Sequence, residues 1–308
     1  TTTIMKNYFD FKDRLSTSSG YTFGFDYTTA LQTGISGNRN ETAFSGIFRA
    51  FGGWALVGLE SGNTGALIYQ IYNGHRLVTD ITPQLLGLEL GYAGITATPF
   101  GVQEWALTNF YWSQTLLNGR LEFVAGLVDP GDYLNVYALI DPWTDFNDLT
   151  FSTGATIPLP FQGLGAAVYG LLSEKIYVLA GITDANGDPT DPLGIFKSFF
   201  STAEYFSHIE MGWIESSEKS YTDNIHITFW HVSEKKAAGT PEGSGLAFSF
   251  CRTFADHWIP FLRGGFTNDG GALLEGSIVG GLGYYFPSST DQLSVGFGWG
   301  KPSKSTFG

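Results

Sequence analysis

From Tyr21 onward the chain alternates between bulky apolar side chains and small or polar ones, with a period of two. Tyr21, Phe23, Phe25 and Tyr27 alternate with Thr22, Gly24, Asp26 and Thr28. The same pattern runs through Leu67–Tyr72, Leu121–Val128, Ile225–Trp230, Leu246–Cys251 and Leu293–Gly300. Residues two apart share one face of a strand, so each segment carries one greasy face and one small or wet face. This reading predicts about thirteen strands, at residues 21–32, 43–59, 64–74, 102–116, 120–128, 161–172, 176–183, 203–215, 223–233, 244–254, 258–267, 271–284 and 291–300. The one stretch with helical character, Asn7 to Leu15, stops at Ser18-Ser19-Gly20.

The links between these strands sort by length. Those at 60–63, 117–119, 173–175 and 255–257 are short, and those at 75–101, 129–160 and 184–202 are long. Short turns at one end and long loops at the other belong to a transmembrane, antiparallel up-and-down β-barrel. A soluble β-sandwich shows the same alternation with its apolar faces turned inward, but has no reason to segregate link lengths. The links at 33–42, 216–222 and 268–270 fit the contrast less well. Bacterial barrels normally have an even strand number, and an unpaired edge is costly in lipid. The expectation is therefore one barrel domain over residues 1–308, sixteen-stranded when complete, with the last three strands missing and residues 1–19 a periplasmic segment.

Composition agrees with this and narrows the chemistry. The chain has 26 Phe, 15 Tyr and 8 Trp against 2 Met, a balance that suits strands better than helices. No run of ~20 apolar residues is long enough for a membrane-spanning helix. Sixteen Lys+Arg against 29 Asp+Glu give a net charge of −13, which disfavours nucleic acid as a partner. A single cysteine allows no internal disulfide. No phosphate-cradling loop, nucleophile elbow or metal-type histidine spacing is present, so no enzyme activity, cofactor or metal is expected. Asp184-Ala185-Asn186-Gly187-Asp188 opens like a calcium loop, but its glycine is misplaced and Ile195 stands where a closing glutamate belongs.

Several short pieces then occur in a telling order. They are Asp13-Arg14-Leu15, Phe25-Asp26-Tyr27, Gly126 to Asp129 before Tyr133 and Phe146, and Asp184 to Gly187. Glu204-Tyr205-Phe206, Trp230-His231-Val232, Glu242 to Gly245, Pro260 to Gly264 and Asp291 to Gly300 follow. In this order they resemble the carbohydrate-selective outer-membrane porin family, the OprB type. The resemblance implies a sixteen-stranded, monomeric barrel in the bacterial outer membrane that passes mono- or oligosaccharides without energy input, with membrane lipid around it.

A sugar channel needs a narrow point, polar groups that replace water on hydroxyls, and aromatic faces for C–H surfaces. The loop at 129–160 is the candidate constriction, with Asp129, Asp132, Tyr133, Tyr137, Asp141, Trp143, Asp145 and Asp148; the bland alternative is a solvated surface loop. Arg76 is expected in the lumen, because an arginine facing lipid near mid-bilayer costs ~2–4 kcal/mol; otherwise it is an interfacial loop residue. Glu104, Thr108, Trp112 and Gln114 are expected on one face, opposite Trp105, Leu107 and Tyr111, with Glu104 able to pair with Arg76. Glu122 and Glu210, the latter beside His208, fall on polar faces. Trp230 reads as a lumen stacking platform or as an interfacial girdle residue. Arg263, on a strand of ambiguous parity, is expected in the lumen. A general or cation-preferring porin, suggested by the net charge, and a soluble carbohydrate-binding module remain the alternatives.

Overall fold

The computed structural model describes residues 3–36, 39–58, 62–287 and 291–307. A helix, α1 (Thr3–Ser19), precedes thirteen strands. These are β1 (Tyr21–Ser36), β2 (Arg39–Val57), β3 (Gly65–Arg76), β4 (Gln103–Leu116), β5 (Leu121–Val128), β6 (Gly163–Leu171) and β7 (Ile176–Asp184). Then come β8 (Tyr205–Ile214), β9 (Asn224–Val232), β10 (Gly243–Cys251), β11 (Trp258–Asp269), β12 (Leu274–Tyr285) and β13 (Gln292–Pro302). All pair antiparallel with their chain neighbours, in the order β1 to β13. Among the described residues β1 and β13 are not paired with each other.

Each expected strand is found, within a few residues at its ends. The first hairpin is tighter than its sequence suggests: Ser36 pairs with Arg39, so most of the expected 33–42 link is strand. Residues 37 and 38, and part of the expected 60–63 link, lie outside the described residues. The three long loops span residues 77–102, 129–162 and 185–204, and all leave the same end of the sheet.

The two faces of the sheet differ as a barrel wall requires. On β9, Ile225, Ile227 and Phe229 are 44%, 45% and 53% exposed, whereas His226, Thr228 and Trp230 between them are 2%, 0% and 3% exposed. Ile182, Ile209, Leu262, Ile278 and Phe297, from neighbouring strands, continue the exposed apolar band. The reverse face is covered by the loops at 77–102 and 129–162. Phe23, Phe123 and Phe248, on strands 1, 5 and 10, sit on the apolar outer face and do not form a common core. A sandwich is excluded: one sheet meanders through all thirteen strands, and its apolar face is the open one.

Helix α1 ends where Gly20 adopts φ +69°, a conformation that costs a glycine little. Its Ser19 carbonyl accepts a bond from Trp54 Nε1 (3.0 Å), and Tyr8 and Phe11 pack edge-on against Phe23, holding the helix to the outer side of β1. In β4 an extra residue, Thr108, stands between the pairs Gln70–Asn109 and Ile71–Leu107. Such a bulge reverses which side chains face inward on its two sides.

Candidate functional site

The loop at 129–162 begins with a tight turn. Asp129 Oδ1 accepts the Gly131 N–H (2.8 Å) and Oδ2 accepts Gln162 Nε2, so the carboxylate staples the two ends of the loop together. Burial raises the Asp129 carboxyl, opposed by those two hydrogen bonds. Asp132 accepts from Asn109 Nδ2 (2.8 Å) on β4 and is exposed. Surrounding protein, together with the Asp129 charge, pushes the Asp132 carboxyl up to about 7, against the lowering effect of the Asn109 bond. Tyr133 is half-buried, with its ring 5.6 Å from that of His208.

Deeper in, Asn135 fastens the loop to three strands of the wall. Its φ is +57°, a left-handed conformation that asparagine tolerates better than most residues. Its N–H donates to Glu210 Oε2 (2.9 Å) on β8, and its side-chain oxygen meets His226 Nε2 (2.9 Å) on β9. Its carbonyl accepts from Arg263 Nη2 (2.7 Å) on β11. Glu210 also accepts from Tyr177 (2.8 Å) and Thr228 (2.6 Å), and Arg263 also donates to the Phe151 carbonyl and lies 4.2 Å from the Tyr137 ring centre. These groups are buried, and such charges are tolerated because each is bonded. Around them the inner face is apolar and dry: Leu134, Ile157, Tyr177, Phe206 and Val232 form one cluster, Tyr137, Leu139, Ile259 and Phe261 another. Gly296 on β13 makes room for the loop, since a Cβ there would come within 2.6 Å of the Phe151 ring.

On the opposite side the same loop reaches β1–β3. Trp143 packs on Arg49, whose guanidinium carbon is 4.0 Å from its ring centre, and on Phe100 of the 77–102 loop (5.5 Å). Arg49 is held by Asp26 through two bonds, Nε–Oδ1 at 3.0 Å and Nη2–Oδ2 at 2.7 Å. The 77–102 loop is itself turned inward. Ala97 and Phe100 bury against Ile47 and Tyr72, and helix α2 (Pro83–Glu89) lies over β1 and β2. The two loops are joined: Thr98 N–H donates to the Asn147 carbonyl (3.1 Å), and Leu149 N–H to that of Ile95 (2.9 Å). Together they cross the interior from wall to wall.

The residues singled out from the sequence are therefore distributed unevenly. Glu210 and Arg263 face inward and converge on Asn135, but both are buried anchors with no surface open to a solute. Trp230 also points inward, yet it is 3% exposed and stacked beside Phe206, so neither the stacking platform nor the interfacial girdle describes it. Trp112 faces outward, across from Leu67 and Ala125, because the bulge at Thr108 inverts the parity assumed for β4. The Arg76–Glu104 pairing is not made: Arg76 Nη1 donates to the Asp80 carbonyl (2.6 Å), and among the described residues no ion pair joins it to Glu104, which is exposed. Asp184 Oδ1 caps the Asn186 N–H (2.9 Å), and Asn186 in turn bonds Glu204 (2.8 Å), so this segment is a hydrogen-bonded turn.

The sequence reading missed Asp26, Arg49, Asn135 and the inward turn of the 77–102 loop. A signal for the first two was present. Residues equidistant from the centre of the first hairpin face each other, which sets Asp26 against Arg49.

This fold is shared with solved structures. The high-pH structure of Pseudomonas putida OprB superimposes with a TM-score of 0.71 at 14% identity, over 97% of this chain and 79% of that one. The chain has an OprB-type porin fold. The low-pH structure of the same protein gives 0.54 at 13% identity, over 95% and 81%. A triple mutant of the Rhodopseudomonas blastica porin gives 0.53 at 10% identity, over 92% and 85%. No family model matches the chain, and no curated protein matches it in sequence.

Proposed function

We propose that this chain is an outer-membrane porin through which neutral sugars diffuse selectively and passively. The observation that carries the reading is the pair of interior loops, braced on both sides of a sheet whose outer face is apolar. An apolar band outside and a polar gap inside are what a solute-conducting barrel needs. An uncharged solute suits the Arg49–Asp26 pair beside Trp143, whose two charges are already matched to each other. The net charge of −13 favours a second reading, a general or cation-preferring pore. No bond-making chemistry is required by either.

Planar-bilayer recording on the intact channel tests both readings. The sugar reading expects steady conductance that added D-glucose reduces reversibly. Conductance with strong cation preference in a salt gradient, and no response to sugar, would select the second reading. The absence of any conductance from correctly folded protein would end both.

A further inference from the structure

We propose that Phe51, with the Arg49–Asp26 pair beside it, forms a pyranose-binding subsite on the inner wall, one step from the narrowing made by Trp143. The inference rests on the sugar-channel reading and goes further by naming where a sugar is held. Phe51 follows Arg49 by two residues on β2, so the two share the inner face about 6.7 Å apart. It pairs with Gly24 on one side and Gln70 on the other. Its ring reaches over Gly24, where a Cβ would come within 2.7 Å, so the absence of that side chain is what lets the ring lie along the wall. Phe51 is 38% exposed although it stands on the inner face, where most large apolar side chains are buried beneath the loops. The Arg49 guanidinium carbon lies 5.8 Å from the ring centre, and the apolar surface left open beside it is what a C–H face of a solute would cover.

The polar neighbours fit a hydroxylated, uncharged ligand. Arg49 commits Nε and Nη2 to Asp26 and packs on the Trp143 ring, yet its five N–H donors exceed those two bonds. Each Asp26 oxygen keeps a lone pair beyond the one Arg49 uses. The pair is thus neutral as a unit yet still offers a charge-assisted donor and acceptor at the edge of an aromatic face. A matched pair offers an ion no net charge to bind, whereas a sugar, with an apolar face and a rim of hydroxyls, can use both partners. Gln70 adds an amide on the far side of the ring, with its Nε2 bonded to Thr108 (3.0 Å).

The test is D-glucose block of single-channel current in the unaltered channel and in Phe51→Ala, Phe51→Leu and Phe51→Trp. The alanine and leucine variants are expected to bind D-glucose about tenfold more weakly, read as block relative to each variant's own sugar-free current. Leucine keeps the bulk and apolarity needed for folding but removes the aromatic face, and tryptophan should retain or strengthen block. Undiminished block in Phe51→Leu and Phe51→Ala would overturn the subsite and leave the sugar reading standing. No block in the unaltered channel would overturn the sugar reading and the subsite with it.

Discussion

Two of the places that hold the inward loop at 129–162 are built differently. At Asn135 the contacts are buried, and Glu210, Arg263 and His226 each reach the asparagine through short bonds. At Trp143 the contact is a half-buried ring on an arginine whose ion pair keeps 20% and 33% of its side-chain surface open. A buried network in which every residue is hydrogen-bonded fixes a geometry, and losing one partner leaves the others stranded. A half-exposed contact of modest strength leaves polar capacity for a passing solute. The first site helps set where the loop lies; on the proposed function, the second is where the loop meets the permeation path.

The largest effect is expected from Glu210→Ala. It strands the Asn135 N–H and the Tyr177 and Thr228 hydroxyls in a dry interior, which should cost about 3–5 kcal/mol. Unfolding in detergent should show that loss, and open-channel conductance should rise and become noisy as the loop is released. If Glu210→Ala were no less stable than the native channel, the Asn135 site would not be the anchor described. Trp143→Ala should widen the pore measurably in conductance but lower stability by only about 1–2 kcal/mol, the scale of a cation–π contact with its packing.

A third prediction concerns pH. Because the Asp132 carboxyl is raised to about 7, it is neutral well below that pH and negative above it. Cation preference, read from reversal potentials, should therefore fall as pH drops through the region of 7. Asp132→Asn should hold the acid-side value at every pH, and an unchanged pH profile in that variant would remove Asp132 from the lumen field. The smallest effect is expected from Trp112→Phe, on the outer wall: conductance unchanged and stability altered by about 0.5 kcal/mol. A clear change in sugar block would return Trp112 to the lumen.

The same contrast separates what was legible in the sequence from what was not. Strand positions were, because the period of two is imposed by the wall and runs through nearly every segment. The site was legible only in part, because loops covering the inner face change what that face wants. On β11 Phe261 and Arg263 share the inner side, so parity looked ambiguous; both are buried under the 129–162 loop, one by packing and one by hydrogen bonds. Trp230 misled for the same reason. The fate of Trp112 turned on a single extra residue at Thr108, which no local pattern announces. Asn135 gave no warning either, since its importance comes from three strands distant in the chain.

The central claim is one of orientation, and cysteine accessibility tests it most directly. In a Cys251→Ala background, Phe51→Cys and Ile227→Cys would be introduced singly and the channels reconstituted in lipid vesicles. The account predicts that a hydrophilic thiol reagent modifies position 51 and lowers conductance, while position 227 is protected and a fluorophore attached there is quenched by brominated lipid. Modification at 227 from water, with position 51 quenched by the lipid instead, would contradict it.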